Sequence, residues 1–233
     1  MRDVGNIREM FSSISGRYDL LNHLLSFNID RRWRKKLIAM IPARSRLVLD
    51  YCCGTSDLGI LAAKSEKSII GLDFSHEMLV EGSRKILKEG LNHTVCLIEA
   101  DAHVLPLKDG SVDTIMTAFG IRNLVDLERG FSEMARVLTA GGTALIIEFS
   151  NPTNIFIKML YYPYLRFLLP LFGTLISGNR NAYHYLTSTI MAFPEPEKIR
   201  QIMEKAGFEK ANLKGLSGGI VTLYIANKRT GEQ

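Results

Sequence analysis

Cysteine is scarce in this sequence: three residues, Cys52, Cys53 and Cys96, among 233. An odd count with two neighbours adjacent cannot build a disulfide framework, and reduced thiols fit a cytoplasmic setting. There is no CxxC, no HExxH and no paired His/Cys run, so no metal site is expected. No apolar run is long enough to span a bilayer, and Met1-Arg2-Asp3-Val4-Gly5 lacks the apolar core of a signal peptide. Internal repeats and low-complexity tracts are also missing, which sets solenoids aside. No GxGxxG follows any strand-like run, so the loop that admits a dinucleotide pyrophosphate is not there.

What is present is ordinary globular composition, with 46% hydrophobic and 23% charged residues, a net charge of +5 and a pI near 9.1. A moderately basic surface suits nucleic acid, anionic lipid or anionic substrates without choosing among them. Aromatic residues cluster with aliphatic ones rather than interleaving with lysine and arginine, so a nucleic-acid partner is not expected.

The period of the apolar residues divides the chain. Roughly the first 45 residues read as helical, with Asp30 as the cap of a helix that carries Trp33, Leu37 and Met40 on one face and Arg31, Arg32, Arg34, Lys35 and Lys36 on the rest. Short apolar runs then alternate with helical patterns: strands over 46–50, 68–73, 94–99, 112–118 and 143–149, helices over 57–64, 76–89 and 127–138, the last closed by Ala140-Gly141-Gly142. That alternation predicts an α/β fold with a mostly parallel sheet and helices on both faces. After residue 150 comes an aromatic and aliphatic stretch over 154–177, then a helix over 197–206 and two strands over 208–213 and 220–227. Ser217-Gly218-Gly219 joins the last two as a hairpin, so one strand is expected to be antiparallel, giving seven strands in all.

In such sheets ligands bind beyond the carboxyl ends of the strands. The first strand runs into Asp50-Tyr51-Cys52-Cys53-Gly54-Thr55-Ser56-Asp57, a loop of small residues with one glycine and an acid at the next helix start. An acid there repels a pyrophosphate and suits a ligand with a cationic end, such as the ammonium and sulfonium of S-adenosylmethionine. Asp50 and Asp57 are candidates to hold that end, although Asp57 can also serve as a helix cap. Asp73, ending the second strand, can accept from ribose hydroxyls or cap the helix that follows. Asp101, after the third strand, can accept from an adenine amino group with Ala102 packing beside it, or be a solvated loop acid.

These residues match the class I methyltransferase pattern, and further motifs narrow the match. Tyr18-Asp19-Leu20-Leu21-Asn22, Arg31-Arg32-Trp33, Cys52-Cys53-Gly54-Thr55, Phe119-Gly120-Ile121-Arg122-Asn123 and Glu148-Phe149-Ser150 resemble the demethylmenaquinone/ubiquinone C-methyltransferase family. Arg136-Val137-Leu138, Gly141-Gly142, Phe193-Pro194 and Gly218-Gly219-Ile220 extend the resemblance over nearly the whole chain. Ser56 stands where that family usually has Gly or Ala, and Thr139-Ala140 replaces its common Lys-Pro.

The resemblance implies a Rossmann-like class I methyltransferase domain over residues 1–233, with a helical lid over 1–45, a cofactor core over 46–150, an apolar substrate lid over 151–195 and a C-terminal helix and strands over 196–233. It implies S-adenosyl-L-methionine as cofactor, with contacts at Thr55, Asp73, Asp101, Ala102 and Ala118, the last by backbone alone because the family often has Ser there; Gly54 joins the cofactor-binding candidates as the glycine of the small-residue loop. It also implies a prenylated quinol substrate, C-methylated in menaquinone or ubiquinone biosynthesis. A phospholipid amine or another lipophilic acceptor is the alternative within the class, and an NAD-binding oxidoreductase the alternative outside it.

A quinol ring carbon is a poor nucleophile until the neighbouring hydroxyl ionises. With a tyrosine-like pKa of ~10, only about one molecule in a thousand is ionised at pH 7, and a shift of ~3 units costs ~4 kcal/mol. One guanidinium ~4 Å away at an effective dielectric of ~20 supplies about that. Arg122 is the candidate, with Asn123 orienting the oxygen and Tyr18 donating from the lid; alternatively Arg122 pairs a structural acid and Tyr18 only packs. Cys52 and Cys53 read as packing residues, and His184 as structural. The 154–177 stretch is either a buried helix pair or a greasy lid for an isoprenoid tail. The basic helix around Trp33 is a solvated face or an anionic-lipid contact, which leaves room for a peripheral membrane association. A homodimer is compatible with everything in the sequence.

Overall fold

The computed structural model describes residues 4–171, 174 and 180–230. Phe172, Gly173 and Ser177 of the apolar stretch, and residues 1–3, lie outside the described residues. Two helices, α1 (Val4–Leu25) and α2 (Ile29–Ile38), precede the sheet. The chain then alternates through β1 (Leu47–Tyr51), α3 (Asp57–Ala63), β2 (Ser68–Asp73), α4 (His76–Lys88), β3 (Val95–Glu99) and β4 (Val112–Ala118). There follow α5 (Leu127–Val137), β5 (Leu138–Phe149), α6 (Ile155–Pro163), α7 (Arg180–Met191), α8 (Pro196–Lys205), β6 (Asn212–Leu216) and β7 (Val221–Asn227).

One seven-stranded sheet has the order β3-β2-β1-β4-β5-β7-β6. The first five strands pair in parallel, while β7 runs antiparallel to both β5 and β6. The order reverses between β1 and β4, and a crevice opens at their carboxyl ends there. Pleating sends alternate residues to opposite faces. Leu49, Tyr51, Ile115 and Ile146 pack with Phe131 and Met134 of α5 and Ile199 and Met203 of α8. Val48, Met116, Leu145 and Ile147 pack with Trp33 and Leu37 of α2, Leu58 of α3 and Ile86 of α4. With each fully buried Leu, Ile or Phe stabilising by ~1.5–3 kcal/mol, these two layers fix the strand ends in place. Tyr161, Leu165, Leu169, Tyr183 and Ile190 make a separate small cluster where α6 and the turns after it meet α7.

Four local expectations are corrected. Asp30 does not cap α2: Asn28 holds that position at φ 58°, and Asp30 is buried in the first turn. The left-handed pair Phe27 and Asn28 turns the chain so that Asp30 points inward, where it accepts from Ser26 Oγ at 2.8 Å and His23 Nδ1 at 2.7 Å. Met40 falls beyond the end of α2 and is exposed. The glycine pair does not stop α5, which ends at Val137 with Leu138 already extended. Gly141, at φ 69°, instead sits in an irregularity of β5, where the pairing jumps from Val112↔Leu138 to Thr114↔Thr143. The strand expected at 208–213 forms at 212–216, because the tight turn at 217–219 sets the ladder from Leu216↔Val221 backwards; Phe208 keeps one bridge to Lys228.

Candidate active site

A cavity of about 410 Å³ lies over the carboxyl ends of β1 to β4, walled on one side by the strand-end loops and on the other by α1 and α2. The loop after β1 is conformationally demanding: Cys52, Gly54 and Ser56 all have positive φ, at 55°, 54° and 60°. For Cys and Ser that conformation costs ~1–2 kcal/mol each, offset by the core on either side. The turn points the Gly54 N–H at Asp73 Oδ2, 2.8 Å away. Burial pushes the Cys52 and Cys53 thiols well up, so both stay protonated and serve as packing.

Asp73 is held by its second oxygen as well, which accepts from Ser75 N at 3.0 Å. Ser75, not Asp73, is the cap residue of α4, its Oγ accepting from Met78 N. Burial raises the Asp73 carboxyl against the pull of three backbone N–H bonds. Each carboxylate oxygen keeps a lone pair for a further donor. Asp101 accepts the backbone N–H of His103 at 2.8 Å and its Nδ1 at 2.7 Å, both on Oδ1. Asp126 N donates to the other ring nitrogen at 3.3 Å, which fixes the His103 tautomer and leaves Asp101 Oδ2 to a ligand. Despite some desolvation, these bonds hold Asp101 below the ordinary carboxylate range. Ala102 and Ala118 line the same cavity.

Asp57 begins α3 without capping it; Ser56 occupies the cap position. Desolvation pushes the Asp57 carboxyl up, but Lys85, Arg34 and His23 together hold it below its ordinary value. Lys85 binds Asp57 directly, Asp19 at 2.6 Å and Thr55 Oγ1 at 3.2 Å, and Thr55 Oγ1 donates to Asp19 at 2.5 Å. Tyr18 and Asn123 both face the cavity. Burial raises the Tyr18 pKa above its ordinary value, so it remains a phenol. Asn123 Oδ1 accepts from Tyr185 O–H at 3.2 Å, which turns its NH₂ group away from Tyr185.

Asp50 and Arg122 do not line the cavity. Asp50 is 1% exposed behind the loop, its Oδ2 without a partner, and burial raises its pKa to about 7. Arg122 is buried against Glu148, with Nη1 donating to Oε1 at 3.0 Å and its backbone N–H donating to Oε2 at 3.1 Å; Nη1 also donates to the Phe119 carbonyl. The guanidinium packs over the Phe149 ring at 5.5 Å. Its charge therefore has a fully buried counter-charge, and what reaches the cavity is the weaker field of a pair.

Sequence reasoning missed Arg34, which it placed on the solvated face of α2. The side chain is 11% exposed, lines the cavity and stacks on Phe119 at 5.6 Å. The i,i+4 spacing from Asp30, its partner at 3.4 Å, was the available signal. Lys85, His103 and Glu148 were also missed as parts of the site; each acts by fixing a recognised neighbour.

The family model described as the ubiE/COQ5 methyltransferase family matches residues 2–228. The chain belongs to that family. It is 39% identical to the demethylmenaquinone methyltransferase of Bacteroides fragilis over 225 residues, covering 95% of this chain and 92% of that one. It is 41% identical over 226 residues to the ubiquinone/menaquinone biosynthesis C-methyltransferase UbiE of Geotalea uraniireducens, covering 95% and 96%. Among solved structures, the fold resembles a SAM-dependent methyltransferase from Thermotoga maritima, with TM-score 0.69 at 18% identity over 95% of this chain and 99% of that one. It also resembles the [4+2]-cyclase SpnF, with TM-score 0.71 at 15% identity over 97% and 96%. Methyltransferase and cyclase on one backbone show that the fold alone does not choose the reaction. In this ubiE/COQ5 methyltransferase, the Cys-Cys-Gly-Thr and Phe-Gly-Ile-Arg-Asn runs each carry left-handed residues, Cys52 at φ 55° and Phe119 at φ 65° among them.

Proposed function

We propose that this methyltransferase transfers a methyl group from S-adenosylmethionine to a ring carbon of a reduced prenyl quinol of the demethylmenaquinol type. The observation that carries the reading is the row of acids, Asp57, Asp73 and Asp101, set after three adjacent strands on one cavity wall that lacks a pyrophosphate loop. Asp57 suits an ammonium, Asp73 a ribose diol and the open Oδ2 of Asp101 an exocyclic amine, with Gly54, Thr55, Ala102 and Ala118 supplying close backbone. Asp50 supports the loop from behind. The bound donor supplies an electrophilic methyl group, whose bonding electrons stay on sulfur as the ring carbon's π pair forms the new bond.

The chain's own residues prepare the acceptor. Tyr18 and the NH₂ of Asn123 are donors facing the cavity, and each hydrogen bond to an ionised ring oxygen contributes ~1.5–3 kcal/mol. Two of them cover the ~4 kcal/mol needed to ionise the hydroxyl near neutral pH. Arg122, paired to Glu148, holds the loop that aims Asn123. The hydroxyl proton is lost to solvent before transfer, and the proton on the methylated ring carbon after it, which restores the aromatic ring.

The apolar lid suits the prenyl tail. Phe156 and Leu160 on α6 are 78% and 79% exposed, with Met159 and Phe167 exposed beside them. Phe27 packs on Tyr164 at 6.2 Å, which joins this surface to the exposed basic face of α2, Arg31, Arg32, Lys35 and Lys36. Apolar side chains flanked by lysine and arginine match an anionic bilayer surface. No described helix is long and apolar enough to cross a membrane, so the contact is peripheral. Sedimentation with vesicles tests it: the protein pellets with anionic vesicles, less so at high salt, and Phe156→Ser with Leu160→Ser abolishes it. Equal recovery with neutral and anionic vesicles removes the basic face from the account.

The function itself is tested by methyl transfer from labelled S-adenosylmethionine to demethylated naphthoquinols and benzoquinols, each reduced and oxidised. Reduced naphthoquinol is expected to be labelled and its oxidised form not. Label on a phospholipid amine and on no quinol replaces this reading.

A further inference from the structure

We propose that Arg34 receives the carboxylate at the amino-acid end of the methyl donor, an inference that rests on the S-adenosylmethionine reading and assigns the part of the donor that the acids leave unaccounted for. That end of the donor carries an ammonium and a carboxylate. Asp57 and the neighbouring Asp19, both on the cavity wall, favour the first and repel the second, so the site needs a cation with free donors.

Three of the cations around the cavity are already engaged. Arg8 pairs with Glu99, Lys85 with Asp19 and Asp57, and Arg122 with Glu148. Arg34 is different. Its Nε is 3.4 Å from Asp30 Oδ2, while Asp30 is shared with Ser26 and His23. Its guanidinium carbon lies over Phe119, 5.6 Å from the ring centre, and its Nη1 and Nη2 make no hydrogen bond to any described residue, in a side chain only 11% exposed. Those two groups form the planar fork that matches a carboxylate in two parallel bonds.

Position agrees with chemistry. Strand order places Asp101 beyond β3, Asp73 beyond β2, Asp57 beyond β1 and Phe119, under Arg34, beyond β4. Three strand spacings of ~4.8 Å make a row of ~14 Å, running from base to ribose to amino acid. Arg34 stands at the amino-acid end, close enough to Asp57, Asp50 and Tyr18 to pull the pKa of each down.

Calorimetry with two ligands tests this without turnover. S-adenosylhomocysteine keeps the amino-acid end, and methylthioadenosine lacks it. In Arg34→Gln the Kd for S-adenosylhomocysteine is expected to rise about 10- to 100-fold, the loss of charge-assisted hydrogen bonds, while that for methylthioadenosine stays as in the wild type. Arg34→Lys is expected to fall between, because an ammonium cannot present the fork. Equal losses for both ligands overturn the proposal and make Arg34 a support of the lid. Unchanged affinity for both, with a raised KM for the quinol, overturns it in favour of the acceptor oxygen. A wild-type protein that binds neither ligand overturns the cofactor reading on which the proposal stands.

Discussion

The two walls of the cavity are held by different kinds of contact. On the strand side the polar groups are fixed by backbone: Gly54 N and Ser75 N hold Asp73, His103 N holds Asp101, and Arg122 N and Phe149 N hold Glu148. On the other side α1 is held by side chains, through Arg8 to Glu99, Ser12 to Glu77, Asp19 to Lys85, and the edge-on contacts of Phe11 with Phe74 and Tyr185. Backbone-held groups keep their geometry while the core stands. Half-exposed side-chain pairs are worth ~0.2–1 kcal/mol each and exchange readily with water. The strand wall is thereby preorganised, while the contacts of α1 open at smaller cost.

The largest expected effect lies behind the strand wall. Burial raises Asp50 from 3.8 to about 7. Between those values the folded protein keeps a proton that the unfolded chain releases, so this group makes stability fall as pH rises through the window, and the loss is complete above pH ~7. Three units at ~1.36 kcal/mol each make up to ~4 kcal/mol. Asp57, held below its ordinary value, works with the opposite sign, so the measurement is a difference between proteins. Urea unfolding of the ligand-free wild type and Asp50→Asn from pH 4.5 to 7.5 should show the variant gaining relative stability toward high pH. Parallel curves would mean that Asp50 is solvated, and that the strand wall is less rigid than its burial indicates.

The same contrast explains what the sequence disclosed. The acids at the strand ends were legible because a parallel strand is a continuous apolar run, and the residues that end or follow it lie at the sheet edge; Asp73 ends β2 and Asp101 comes two residues after β3. Arg122 was legible as important, with pairing to a structural acid the second of two readings; the acid itself was not legible, because Glu148 is 26 residues away on the adjacent strand and no local period reports a cross-strand pair. Arg34 was misread for a tertiary reason as well. A helix with five basic residues reads as solvated on all but its apolar stripe, and only the packing of α2 against Phe119 turns one of those residues inward. The displacement of β6 had a geometric cause, since an edge strand half exposed on both faces carries no strong alternation and takes its register from the turn.

A smaller effect probes the lid. Lys85, on α4, is the cation that joins Asp19 of α1 to Asp57 and Thr55 of the strand wall. Replacing it with Gln leaves two carboxylates facing each other across the lid seam, which favours the open form without touching the sheet. Hydrogen exchange of the α1 amides should then quicken by ~3- to 10-fold, the equivalent of ~0.6–1.4 kcal/mol in local opening. Amides of β1 and β4 should exchange as in the wild type, since their bonds open only with the whole fold. If both sets quicken together, α1 is part of the global folding unit. Access would then have to come from the α6 side, where Tyr161 and Leu165 pack in a cluster of their own beside α7.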